Sequence, residues 1–266
     1  MPPVRPAVKP ARRRRCGAAS RLTECRTRHD DGVLAHFAPG GYRFLVAPGA
    51  PFSAGIIADP GHDLVHAILH RPLVLSEGLE AARRHVESAG RPAPALAGFE
   101  LRIPEPLDRE GFDAFNAPYV RRMTAMGLTS GNELVSARTN VSPMMPGIGE
   151  PAVYAFTYTV PGRGRPHPAF RLSGATETRG GSPGDRLRSI VDVLEERMGE
   201  LGVDWHDATA VNVYGAEGTA AGLEPDVLER LGPAGLHGLT WYPSLPPIRD
   251  FDFEIDVRGV GSELTI

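Results

Sequence analysis

Cysteine is nearly absent from this chain: 266 residues contain two, Cys16 and Cys25, and none follows. Two cysteines cannot staple a chain of this length, and the long remainder has none to offer a Cys-based zinc site. Long apolar runs are missing too. No stretch approaches the roughly 18 apolar residues that span a bilayer, so no membrane partner is expected. Positive charge is scarce outside the first residues. Residues 1–28 carry nine Lys or Arg against Glu24, a balance of +8, while the whole chain sums to −3, which leaves −11 for residues 29–266. A body that acidic argues against a nucleic-acid surface, which needs a positive field, and points to a small-molecule partner. With 41% hydrophobic and 23% charged residues the chain is globular rather than disordered or collagen-like, sized for one large domain or two smaller ones. The leader holding Arg12, Arg13, Arg14 and Arg15 reads as a disordered extension. Its other reading is a nucleic-acid arm or targeting signal, but no apolar stretch follows the charges as a secretory signal requires, and a cytoplasmic location is expected.

Strand-like and helical patterns alternate from about Val33. Tyr42 to Val46, Phe52 to Ala58 and Leu64 to Leu69 read as strands. Leu75, Leu79, Ala82 and Val86 recur at helical spacing, with Ser76 as expected N-cap and Gly90 as the C′ glycine. A strand follows over Gly98 to Ile103. Phe112, Phe115, Tyr119 and Met123 mark a second helix that Pro118 is expected to distort or interrupt. Ala137 to Val141 and Ala152 to Val160 complete this half as strands. Pro and Gly crowd residues 161–168, a linker, and the order then repeats. A strand over Phe170 to Ala175 precedes the chain's strongest helical stripe, Leu187, Ile190, Val191, Leu194, Met198 and Leu201, which Gly202 ends. Further strands fall at Ala208 to Tyr214, Leu239 to Tyr242 and Phe251 to Val257, with a short helix over Pro225 to Leu231. In the closing strand Phe251, Phe253, Ile255 and Val257 alternate with Asp252, Glu254, Asp256 and Arg258, which predicts one buried and one solvated face. The expected architecture is α/β (α+β), with each half a mixed sheet carrying helices on one face, and the division is 1–32 leader, 33–160 first domain, 161–168 linker, 169–266 second domain.

These segments resemble the RidA (YjgF-type) family twice over. Gly41-Tyr42 with Phe52-Ser-Ala-Gly55, the helix ending Glu87-Ser-Ala-Gly90, Phe112-Asp-Ala-Phe-Asn-Ala-Pro-Tyr119 and Ala137-Arg-Thr-Asn-Val141 match in the first half. Leu172-Ser-Gly174, the 187–201 helix, Leu201-Gly-Val-Asp-Trp-His-Asp207 and Phe253-Glu-Ile-Asp256 match in the second. The resemblance implies tandem chorismate-mutase-like domains, a threefold (trimeric) assembly, small carboxylate ligands in clefts between domains, and hydrolysis of imine or enamine intermediates to 2-oxo acids and ammonia. Some members only bind ligands, and the two-half chorismatases act on a ring carboxylate; both readings stay open.

Arg138 stands where the family keeps its ligand-binding arginine, and a guanidinium suits a bidentate grip on a carboxylate; its other reading is a structural salt bridge. Asn140 shares its strand face, where its side chain either adds a ligand contact or simply finishes the strand with a turn. Tyr42 matches an aromatic residue that lines the family's cleft, and it reads equally as a core tyrosine with its hydroxyl at the rim. The family's deaminating members carry a glutamate about fifteen residues beyond the arginine, but counting from Arg138 reaches Val153 and Tyr154. In the second half Glu254 keeps the glutamate position, and the arginine counterpart falls near Leu239. Either Arg138 works with Glu254 or Tyr154 in a composite site, or hydrolysis is lost and binding remains. Glu254 alone also reads as the solvated side of its strand. His66 and His70 share a strand face without a third ligand, so they read as structural or surface residues and no metal site is expected. His85 is given no role, and no cofactor is expected.

Overall fold

Short alternating segments build most of one continuous sheet. The hairpin of β1 (Leu34–Phe37) and β2 (Tyr42–Leu45) leads to β3 (Gly55–Ala58) and to the long β4 (His62–Val74). Helix α1 (Leu75–Ser88) and β5 (Leu96–Arg102) follow, then α2 (Arg109–Ala125), the small hairpin β6 (Thr129–Ser130) and β7 (Glu133–Leu134), and β8 (Ala137–Pro143) and β9 (Ala152–Pro161). The order continues with β10 (Phe170–Leu172), β11 (Ala175–Thr176), α3 (Pro183–Leu201), β12 (Ala210–Gly215), α4 (Pro225–Leu231), β13 (Leu239–Leu245), β14 (Phe253–Gly259) and β15 (Ser262–Thr265). This computed structural model describes residues 34–145, 147–162, 166–216 and 225–266, with Asp226 by its backbone alone. The basic leader and the centre of the expected linker lie outside the described residues.

The helices differ from expectation in two places. The chain passes from β4 straight into α1, so Val74, not Ser76, is the N-cap, and no side chain among the described residues caps it. The Leu75 amide is satisfied instead by the Pro151 carbonyl at 2.8 Å. Helix α2 runs through Pro118 unbroken. Its buried Phe112, Asn116, Tyr119 and Met123 hold it to the sheet, which offsets the hydrogen bond that proline removes. Helix α3 follows its pattern: a Ser182–Asp185 capping box opens it and Gly202 ends it at φ 73°.

The strand order is β1-β2-β3-β10-β14-β12-β13-β8-β5-β9-β4-β15, with β11 beside β14. Two features of this order matter. The hairpin and β3, early in the chain, attach to β10 through Phe170↔Ile57 and Leu172↔Gly55. In return β15 lies parallel to β4, pairing Ser262 with Val65 and Thr265 with Ile68. Each part of the sheet therefore borrows its edge from the other part. The cores reflect this: Leu45 and Ile57 join the cluster under α3, while Val260 joins the cluster under α1 and α2.

The sheet also curls back on itself. Arg171 of β10 donates to Glu100 of β5 at 3.2 Å and to Thr157 of β9 at 3.0 Å, although several strands separate them along the sheet. Thr139 donates to Asp256 at 2.6 Å, and Asn212 and Tyr214 donate to the same carboxylate at 2.9 and 3.1 Å. This polar seam explains a departure from the sequence pattern. Every residue of β14 is buried, so the row Glu254, Asp256, Arg258 is no solvated face; it meets the opposite part of the sheet. His66 belongs to the same seam, 1% exposed and 3.1 Å from the Thr157 hydroxyl, whereas His70 is exposed. Burial would raise the Glu100 carboxyl, but Arg171, His66, Arg258 and Arg102 around it hold it below its ordinary value.

Candidate active site

The sheet splits between β8 and its neighbour. Strand β13 pairs with β8 only at the far end, Ser244↔Pro143 and Leu245↔Ser142. Nearer its start, the free edge of β8 is met by other groups. The Arg138 amide donates to the Ser173 hydroxyl at 2.8 Å, the Gly174 amide to the Arg138 carbonyl at 3.1 Å, and the Asn140 amide to Glu254 Oε1 at 3.3 Å. The opening is a cavity of about 470 Å³, lined among others by Phe52, Phe112, Arg138, Asn140, Arg197 and Glu254.

Strand alternation turns Thr139 into the polar seam and Arg138 the other way, under α2. There the guanidinium donates to Asn116 Oδ1 at 2.7 Å and lies over aromatic faces, 4.8 Å from the Phe52 centroid and 4.9 Å from that of Tyr119, with Phe112 and Phe115 beyond. The helix motif thus serves the strand motif: Asn116 and the rings at helical spacing cradle the arginine. Among the described residues no carboxylate stands within ion-pair distance of Arg138, which is 3% exposed. Burial lowers its pKa, opposed by Tyr119 and Glu254. A buried cation without a counter-ion is costly, and rings and one amide oxygen compensate it only in part. The arrangement suits an arriving anion.

Glu254 reaches the same cavity from β14. Burial, with Asp256 adding to it, pushes its carboxyl up to about 8, against the Asn140 amide, Arg138 and Arg102. At neutral pH it is therefore an acid with a proton to give. Gly174 leaves it room, because a Cβ there would overlap the Glu254 carboxyl. Asn140 contributes its side chain too: both amide atoms are buried without a hydrogen-bond partner, on the wall of the cavity.

The structure thus brings Arg138, Asn140 and Glu254 together and leaves the other two sequence candidates apart. Tyr154 lies under Arg102, whose guanidinium is 4.2 Å from its ring centroid, and outside the cavity lining. Tyr42 is fully buried in the first core, its hydroxyl donating to the Leu96 carbonyl at 3.1 Å. The aromatic wall beside Arg138 is supplied by Phe52 and Phe112 instead. Arg197 was not legible as a site residue. It interrupts the row Ile190, Leu194, Leu201 on α3, and a charge on that row was the one available signal.

The sequence signature described as 2-aminomuconate deaminase CnbZ matches residues 34–186 and 182–264. The chain belongs to the CnbZ family. A relative from Comamonas testosteroni, the 2-amino-5-chloromuconate deaminase, is 34% identical over 248 residues, covering 86% of this chain and 98% of that one. Among solved structures, a chorismatase is similar at TM-score 0.43 and 12% identity over 83% of this chain and 77% of its own. A YjgF/YER057c/UK114 member from Mycobacterium tuberculosis is similar at TM-score 0.29 and 17% identity, over 36% of this chain and 82% of its own.

Proposed function

We propose that this protein is a RidA-like hydrolase that releases ammonia from a small unsaturated 2-amino or 2-imino carboxylate, and that its chain consists of two RidA-like halves sharing one composite site. The observation that carries the reading is that a buried guanidinium with no carboxylate partner among the described residues, Arg138, and a buried carboxyl whose pKa burial raises, Glu254, line one cavity from opposite halves. The name of the Comamonas testosteroni relative, a deaminase of an unsaturated aminocarboxylate, supports the same chemistry.

The carboxylate beside the reacting carbon sits on Arg138, whose fork fixes the C–N carbon in place. An enamine first tautomerises to the imine. Glu254 gives its proton to the imine nitrogen, which makes the carbon electrophilic, and the resulting carboxylate takes a proton from water as the C–O bond forms. The same proton then passes to the amine, the C–N bond breaks and ammonia leaves, and the C=O bond closes as the hydroxyl proton returns to Glu254. Imine and one water become 2-oxo acid and ammonia. Asn140 offers both a donor and an acceptor to the tetrahedral species. General acid–base help of this kind contributes about 10²–10⁴-fold.

The test is ammonia release from 2-aminomuconate by wild type and Glu254→Gln. A fall of about 10²-fold or more in kcat is expected, with the substrate still raising the melting temperature. Equal rates for the two proteins would remove Glu254 from the chemistry, and no ammonia release by wild type would leave a binding module.

A further inference from the structure

The cavity holds a second arginine that the deamination chemistry leaves unused. Arg197 projects from α3 onto the cavity wall and spends one hydrogen bond on the Ser173 carbonyl, at 3.2 Å. Ser173 is the residue whose hydroxyl accepts the Arg138 amide, so the two arginines are anchored to neighbouring atoms. Like Arg138, Arg197 has no carboxylate within ion-pair distance among the described residues. This sets it apart from the other α3 arginines, since Arg186 and Arg188 pair with Asp252 and Asp185. Burial lowers its pKa, and Glu200, Glu196 and Glu254 act on it from a distance. The charged groups of the lining are Arg109, Arg138 and Arg197 against Asp113 and Glu254. With Glu254 protonated, cations exceed anions by two, the complement of a dianion.

We infer that Arg197 grips a second carboxylate of the ligand, so that the cavity selects dicarboxylates with one acid group on Arg138 and the other on α3. The inference rests on the deaminase reading for its substrate but not for its geometry. A five-donor fork on a cavity wall, half-buried and without a counter-ion, matches a carboxylate and gains nothing from an apolar end. Arg109 is exposed at the rim and is a poorer candidate.

The discriminating experiment compares muconate with sorbate, six-carbon dienes that differ by one carboxylate and carry no amine to hydrolyse. Muconate raises the melting temperature of wild type more than sorbate does. In Arg197→Gln the difference shrinks as muconate affinity falls by about 10–100-fold, the worth of one charge-assisted pair. Arg197→Lys restores part of the difference, which a merely structural role would not predict. In turnover, Arg197→Gln lowers kcat/KM for 2-aminomuconate, mainly through KM, relative to a 2-imino monocarboxylate released in situ by an amino-acid oxidase. Equal shifts by muconate and sorbate in wild type, equal losses of both in Arg197→Gln, or collapse of the preference in Arg109→Gln instead would each overturn the inference. Failure of wild type to turn over either substrate would sink the deaminase reading alone, and the melting comparison would still decide the role of Arg197.

Discussion

Arg138 carries two opposed costs, and they make its substitution diagnostic. Its guanidinium is buried with aromatic faces and one amide for company, so removing the charge relieves a desolvation penalty. Arg138→Gln is expected to melt no lower than wild type without ligand, yet to lose about 10²–10⁴-fold in kcat/KM, because a bidentate charge-assisted grip is gone. Melting curves and initial rates on the same preparations check both. Glu254 makes a pH prediction. Its folded value, raised to about 8 by burial, lies above the ordinary carboxylate value, so the folded state holds a proton that the unfolded state has lost. Stability from this group therefore falls as pH rises from about 4.5 to about 8 and is level above. Asp256 is raised too, so the measurement is the melting difference between wild type and Glu254→Gln, which is expected to move in favour of the variant across that window. In activity, kcat/KM of wild type should decline above about pH 8 as the acid is lost. Gly174→Ala pushes a methyl group into the Glu254 carboxyl, so activity should drop by more than stability does, as paired melting and rate data would show.

At the scale of elements, the sequence was legible where a pattern reports on the element itself. The α3 stripe and its glycine stop, the strand carrying Arg138 and the aromatic row of α2 all appear where their periodicity placed them. Periodicity does not report what covers a face. Glu254, Asp256 and Arg258 alternate as solvated residues do, and only the opposing sheet turns that row inward. Tyr42 shows the same limit: its motif position is intact, and which of its two readings applies depends on packing, because the hairpin carrying it folds into the first core. Val74 shows the limit for caps: a backbone acceptor from a distant segment replaced the side chain that local sequence suggested. Pro118 leads to a prediction. Helix α2 is held in spite of it, so Pro118→Ala should raise stability by about 1–3 kcal/mol, read as a higher melting temperature with the ligand-induced shift retained.

For the whole molecule, the exchanged edges decide what can be removed. Strand β15 covers the outer edge of β4 and brings Glu263 to Arg258, at 2.7 Å. Deleting residues 261–266 exposes that edge and leaves the Arg258 guanidinium without this partner; a lower melting temperature and concentration-dependent association are expected, measured by calorimetry and light scattering. The same exchange has a consequence during synthesis. A ribosome delivers β4 long before Ser262 emerges, so one margin of the early sheet waits with its amides and carbonyls unmatched. Residues 34–58 meanwhile have no Phe170–Leu172 to rest on. The nascent chain therefore reaches its final shape only once both ends can be traded, and until then it is most open to pairing with a stranger.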